Sequence, residues 1–214
     1  MRLLPLFLFL FLSFSSVAND FDKGKDAYQK GNYTEAVSHF KIAAEQGNSG
    51  AQSYLAFMYT KGRGVTKNYK QAFYLYRQAA EQGNARHQYS LAMMYENGKG
   101  VAQNYEQAIE WHTKAAEQDN ARSQYHLALI YYNGKGVTQD YKQAFNWYTR
   151  AAKDGNAGVQ HSLGIMYEKG QGVAQDYNKA IEWYTKAAEQ GDVNAQTSLG
   201  LINAKEQKTT QNKK

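Results

Sequence analysis

The chain has 214 residues, of which 43% are hydrophobic, and a formal net charge of +6. It contains no cysteine, which excludes disulfides, a thiol nucleophile and a thiolate metal site. One net positive charge lies on Arg2 and three lie in residues 205–214, so the intervening chain carries only +2. So small a charge does not indicate a nucleic-acid-binding protein.

Residues 1–18 have the pattern of a secretory signal peptide. Arg2 is followed by an apolar run over residues 3–14, and the small residue Ala18 precedes the polar Asn19. An uncleaved anchor is the competing interpretation, but the run is shorter than the roughly 20 residues of a membrane-spanning helix. We therefore predict cleavage after Ala18 and a periplasmic or secreted protein with no membrane span after cleavage.

The rest of the chain repeats itself every 36 residues. Such a period is the sequence signature of a repeat architecture. The only proline is Pro5, so the repeats contain no residue that forbids a helix. Three sets of positions show the period: Gly64, Gly100, Gly136 and Gly172; Leu55, Leu91, Leu127, Leu163 and Leu199; and Gln52, Gln88, Gln124, Gln160 and Gln196.

Each unit predicts two helices joined by a glycine turn. The first, as in residues 51–62, carries one apolar stripe and is here called the A helix. The second, as in residues 141–155, carries a similar stripe and is called the B helix. Its predicted N-caps are Asn68, Asn104, Asp140 and Asp176. Its predicted end is a glycine in the left-handed conformation, with Asp119 as the one replacement.

The turn itself, NGKGV at residues 97–101, resembles a phosphate-binding loop at first sight. A dinucleotide-binding turn needs a preceding strand, a third glycine and a single copy at the edge of a sheet. Here the turn follows a helix, lacks the third glycine and occurs four times. We therefore interpret the glycines as structural positions between helices, with no cofactor.

The repeat resembles the Sel1-like repeats, a branch of the tetratricopeptide-like solenoids. Residues 157–191 and 121–152 carry the pattern A-Q-x-x-L-[AG]-x-[MI]-Y-x-x-G-x-G-V-x-x-[ND]-Y-x-x-A-[FI]-x-W-Y-x-x-A-A almost complete. The resemblance implies an all-α fold, an α/α superhelical solenoid of stacked hairpins whose A helices line the concave face.

The two ends of the chain depart from that pattern. Residues 19–47 join their helices by the short link KGN and look more like an ordinary tetratricopeptide hairpin. Residues 48–204 comprise the Sel1-like repeats with a C-terminal capping helix, and residues 205–214 are predicted to be a disordered basic tail.

Positions that vary between A helices are candidates for binding, because helix packing does not fix them. Arginine and tyrosine among them favour a groove for an extended or helical segment of a partner protein, with acidic residues meeting neighbouring arginines. Ordinary solvated positions are the alternative interpretation. The candidate partner-binding residues are Arg86, Tyr89, Met93, Arg122, Tyr125, His126, Tyr132 and His161.

Catalytic and metal sites find little support. Ser38 and Lys41 fit S-x-x-K, but no S-D-N or K-T-G follows. His126 and His161 offer only two nitrogen ligands, and His112 occupies a column of packed rings. We predict no catalytic residue, cofactor or metal.

Three functions remain open at this stage. The resemblance favours a non-enzymatic scaffold for protein–protein interaction in the bacterial envelope or outside the cell, with a protein partner and no nucleic acid. A hydrolase active on cell wall or β-lactams is one alternative. A secreted effector that binds a host protein is another.

Overall fold

The computed structural model describes residues 19–211, without the side chains of residue 203 and residues 205–211. The predicted signal peptide therefore lies outside the described residues. No helix within the described part combines the length and the apolar character needed to cross a membrane.

The described chain is entirely helical apart from turns, and odd-numbered helices are A helices while even-numbered ones are B helices. This confirms the predicted all-α fold of stacked helix pairs. The helices are α1 (residues 19–29), α2 (Tyr33–Glu45), α3 (Ser49–Lys61), α4 (Tyr69–Glu81), α5 (Ala85–Asn97), α6 (Tyr105–Ala116), α7 (Ala121–Asn133), α8 (Tyr141–Ala151), α9 (Ala157–Lys169), α10 (Tyr177–Glu189) and α11 (Val193–Gln211).

The predicted caps of the B helices are confirmed. The side chain of Asn68 accepts a hydrogen bond from the main-chain N–H of Gln71 at 3.1 Å, and Asp140 accepts one from Gln143 at 3.0 Å. Asn or Asp also caps the A helices, as at Asn48. Each cap satisfies an N–H group that the helix itself leaves without an acceptor.

Two glycines in each turn have different structural reasons. Gly62 ends α3 in the left-handed conformation, with φ of 69°, and its N–H donates to the carbonyl of Met58. Gly64 lies against the main chain of Tyr33 at the start of α2, where an added Cβ would overlap the Tyr33 carbonyl. The turn therefore docks on the preceding hairpin through a position that only glycine fits.

The described residues form two compact units, 19–111 and 112–211, and the boundary lies within α6. In the first unit α3 packs against α4, and α4 against α5; in the second, each helix from α7 to α11 packs against the next. Fully buried or nearly buried side chains form the two cores: Phe40, Leu55, Met58, Leu91 and Met94 in the first unit, and Leu127, Ile130, Leu163, Met166 and Ile202 in the second.

The recurring glutamine of the A helix links successive helices. Gln52 is buried, and its amide N–H donates to the carbonyl of Ala44 at the end of α2. Its side-chain oxygen accepts from Gln82, just after α4, at 2.9 Å. In the second unit Gln190 donates to Gln160 in the same way, at 2.8 Å. The period of this residue follows from a buried polar link that each hairpin needs.

The last helix, α11, extends further than the other A helices. It is anchored by the buried Ile202 and remains helical to Gln211, within the segment where the sequence analysis expects a disordered tail. Residues 205–211 contain neither glycine nor proline, and lysine, glutamate and glutamine have high helix propensity.

Candidate partner-binding surface

The two candidate arginines occupy the first turns of A helices. Arg86 is the second residue of α5, and its main-chain N–H donates to the capping side chain of Asn84 at 2.9 Å. Arg122 is the second residue of α7, behind the cap Asn120. Both are exposed, and neither guanidinium has an ion-pair partner among the residues that the structure describes.

Tyr89 and Met93 lie one and two turns beyond Arg86 on α5. Spacings of three and four residues place the three side chains on one face of the helix. Tyr89 and Met93 are half-buried, whereas Arg86 is exposed. This face of α5 therefore has a charged end and an apolar continuation.

On α7 the predicted aromatic residues are engaged by neighbouring helices. The ring of Tyr125 lies 6.0 Å from the ring of Tyr148 in α8 and meets His126 edge-on at 5.8 Å. The hydroxyl of Tyr132 donates to the side-chain oxygen of Gln171, in the turn after α9, at 3.0 Å. Tyr125 and Tyr132 are half-buried, so they form a backing for the surface.

The histidines are separated by their partners. His126 stacks on His112, whose ring is fully buried as the sequence predicts, and Nδ1 of His112 lies 3.2 Å from the hydroxyl of Ser123. Nε2 of His161 lies 3.2 Å from the hydroxyl of Ser198 in α11. His126 and His161 thus contact different residues.

An aromatic cluster in the first hairpin was missed by the sequence analysis. Tyr54 of α3 stacks on Phe40 with ring centroids 5.0 Å apart, and meets both Phe21 and Tyr28 of α1 at about an edge-on angle. Tyr54 is still 37% exposed. The signal was the density of rings in α1 to α3, which the shorter link KGN takes out of the 36-residue register.

The S-x-x-K residues do not form a catalytic arrangement on α2. The hydroxyl of Ser38 donates to the carbonyl of Thr34 one turn earlier, at 3.2 Å, which is usual behaviour for serine within a helix. Ser38 and Lys41 are both exposed.

The buried tyrosines act as hydrogen-bond donors. Burial raises the pKa of Tyr76 to about 12, and burial also raises the pKa of Tyr148 and of Tyr184. These hydroxyls keep their protons at neutral pH, and that of Tyr184 donates to the carboxylate of Glu168 at 2.8 Å.

The periodic hairpins and their caps correspond to a known family. A family model of the Sel1 repeat matches residues 21–48, 49–84, 88–120, 121–156 and 158–192. The chain belongs to the Sel1 repeat family. Sel1 repeats form protein-interaction scaffolds, and proteins built of them are generally non-enzymatic. The first match includes the hairpin that the sequence analysis compares with an ordinary tetratricopeptide unit.

Solved structures give the same fold. A protective antigen of uropathogenic Escherichia coli with a Sel1-like repeat fold is 36% identical over 87% of this chain, with a TM-score of 0.84. A Sel1 repeat protein from Oxalobacter formigenes is 37% identical over 84% of this chain and 74% of its own, with a TM-score of 0.79. This chain spans only 41% of the E. coli protein. No curated protein sequence matches it significantly.

Proposed function

We propose that this Sel1 repeat protein is a non-enzymatic scaffold, periplasmic or secreted, that binds an acidic segment of a partner protein on its A helices. The observation that carries the proposal is the pair Arg86 and Arg122, exposed and without ion pairs among residues 19–211.

The fold does not require arginine at these positions. Gly50, Gly158 and Asn194 occupy the same place in other A helices. A cation in the first turn opposes the helix dipole and costs about 0.3–1 kcal/mol at an exposed site. Two residues that weaken their own helices and contact nothing are better explained by a ligand than by folding.

The chemistry of the ligand follows from the guanidinium group. Arginine binds a carboxylate through two parallel hydrogen bonds, and the free N–H groups of a helix N-terminus add to the attraction for an anion. On α5 the half-buried Tyr89 and Met93 continue the face that Arg86 begins, and on α7 Tyr125 follows Arg122. An acidic residue followed by apolar ones is the segment that each face fits.

The location outside the cytoplasm rests on residues 1–18 and on one relative. The signal pattern ends in a predicted cleavage site after Ala18. The E. coli relative is a protective antigen, and antibodies reach antigens that are exposed on or outside the cell. Detection of a mature N-terminus at Asn19 by N-terminal sequencing is the expected result; an intact Met1 would contradict it.

Charge reversal tests the binding face. Crosslinking and mass spectrometry on bacterial envelope extract would identify the partner, and its affinity would be measured for wild type and for the variant Arg86→Glu/Arg122→Glu. We expect the affinity to fall at least about tenfold, because two attractive contacts become repulsive. Circular dichroism should show unchanged helicity.

A matched control is available on the B helices. Lys70 and Lys142 are exposed residues of α4 and α8, and Lys70→Glu/Lys142→Glu makes the same change in net charge. This control should bind like wild type. Equal loss in both variants would indicate general electrostatics, and no loss in the arginine variant would refute the site.

Two other functions have one observation each. The S-x-x-K residues Ser38 and Lys41 suggest a β-lactam-active or cell-wall hydrolase; turnover of a chromogenic β-lactam that is lost in Ser38→Ala would establish it. The antigenic E. coli relative suggests an effector that binds a host protein. Saturable capture from host-cell lysate, with none from envelope extract, would favour the effector.

A further inference from the structure

The last helix, α11, offers a vacant copy of the interface that a B helix fills elsewhere in the second unit. There α7 packs against α8 and α9 packs against α10, each A helix with the B helix that follows it. Among the described residues α11 packs only against the preceding helix, α10, and continues as a helix to Gln211.

The pair α9 and α10 shows what covers an A helix on this side. Gly164 is buried beneath the ring of Tyr184, so close that an added Cβ would overlap the ring. The neighbouring Leu163 is fully buried. Near the other end, the side-chain oxygen of Gln160 accepts a hydrogen bond from Gln190 at 2.8 Å. A small residue under a ring and a paired amide thus define the interface.

The corresponding residues of α11 are present but uncovered. Gly200, which corresponds to Gly164, is exposed and has no atom within 4 Å of a Cβ placed on it. Gln196, which corresponds to Gln160, is exposed, and its amide N–H reaches only the carbonyl of Ala188 at 3.5 Å. Leu201 is 60% exposed and Val193 is 70% exposed. We call the surface formed by Val193, Gln196, Gly200 and Leu201 the end face.

We propose that the end face binds an amphipathic helix of a partner protein that resembles a B helix of this chain. The helix carries an aromatic ring that packs over Gly200 and, six residues later, an amide side chain that donates to Gln196, as Tyr184 and Gln190 do for α9. The surface continues an interface that already exists in the molecule, so the chemistry of its occupant is set by that interface.

A second copy is a poorer occupant than a partner helix. In the second unit the B helices α8 and α10 are each packed between two A helices. A copy of the chain would have to unpack one of them to supply it, and would lose the contacts that the end face returns. A separate helix binds without that loss, by the helix-in-groove mode of peptide recognition.

The chain itself supplies the probe. A peptide with the sequence of residues 176–190, fluorescently labelled and with blocked ends, would be titrated with the full chain and followed by fluorescence anisotropy. We expect saturable binding of one peptide per chain. Replacing the tyrosine of the peptide that corresponds to Tyr184 with alanine should weaken binding at least about tenfold, because the ring is the main contact over Gly200.

Substitutions in the chain locate the binding. Gly200→Leu fills the open space and should abolish peptide binding, while Asn194→Leu, on another exposed face of α11, should leave it unchanged. Gln196→Ala should weaken it a few-fold through the lost amide pair. The variant Arg86→Glu/Arg122→Glu should bind the peptide like wild type, so this surface is distinguished from the proposed partner-binding face.

Three results would overturn the proposal. The first is the absence of saturable binding. The second is binding that is insensitive to Gly200→Leu. The third is a dimer in light scattering that Gly200→Leu dissociates, since this would assign the end face to a second copy of the chain.

Discussion

The imidazole rings of His112 and His126 stack with their centroids 5.1 Å apart and their planes 10° apart. They join the B helix α6 to the next A helix, α7. At the same place in the other hairpins a ring of the B helix also meets the next A helix: Phe40 stacks on Tyr54, and the hydroxyls of Tyr76, Tyr148 and Tyr184 are hydrogen-bonded to Ser90, Ser162 and Ser198. The two positions therefore change together, as ring on ring or as tyrosine on serine.

The pairing predicts non-additive effects of substitution. His126→Ser alone removes the stacked ring, and His112→Tyr alone places a larger side chain against it, so we expect each to lower the free energy of unfolding by about 1–3 kcal/mol. The double variant recreates the tyrosine–serine pair and should lose about 1 kcal/mol less than the two single losses together. Urea unfolding of the four proteins measures this cycle; additive losses would show that the columns are independent.

The helices and their ends were predictable because they depend on local chemistry. The 36-residue period, the caps such as Asp140 and the turn glycines such as Gly62 act through their own backbone or through residues within one turn. One sequence is enough to recognise such features, and a fivefold repetition removes the ambiguity that a single copy would leave.

The candidate surface was less predictable because it depends on contacts between distant residues. The variable columns correctly marked Arg86 and Arg122 as positions that packing leaves exposed. They did not show that Tyr132 bonds to Gln171, which lies 39 residues later, or that His126 is covered by a ring. Variation between repeats can thus reflect a pair of packed residues that change together as well as a free surface. The role of the candidate residues in binding stays a prediction.

The glutamine link between helices gives a second prediction. Gln52→Leu leaves the buried carbonyl of Ala44 without its donor and Gln82 without an acceptor, which should cost about 1–3 kcal/mol of the free energy of unfolding. The matched control is Gln196→Leu, at the same repeat position but exposed, for which we expect a change within about 0.5 kcal/mol. Equal losses in thermal or urea unfolding would show that the buried amide contributes no more than an exposed one.

Two glycines with nearly equal backbone angles separate strain from close packing. Gly155 and Gly172 have φ of 75° and 73°, but only at Gly172 does an added Cβ overlap a neighbour, the carbonyl of Tyr141. Gly155→Ala should cost about 1–2 kcal/mol for the left-handed conformation. Gly172→Ala should cost a further 1–3 kcal/mol, as an approximate overpacking penalty, since the turn must move away from α8. Similar unfolding midpoints for the two variants would contradict docking of the turn on the preceding hairpin.

His87 should make the stability of the protein depend on pH. Burial lowers the pKa of His87, the carbonyl of Ala79 partly offsets this through a hydrogen bond, and Nδ1 of the ring is buried without a hydrogen-bond partner. The unfolded chain, in which the pKa is about 6.5, then binds more protons than the folded chain. The stability that neutral His87 allows is present above pH 6.5 and is lost as the pH falls from there toward the lowered pKa of the folded state.

His87→Ala isolates this contribution, because Ala51 and Ala195 fill the same repeat position and are fully buried. Urea unfolding at pH 7.5 and at pH 5.0 should show a larger decrease in the free energy of unfolding for wild type than for His87→Ala. The other histidines titrate in both proteins, so the difference between the two decreases belongs to His87. An equal decrease in both would mean that His87 is protonated as readily in the folded chain as in the unfolded one.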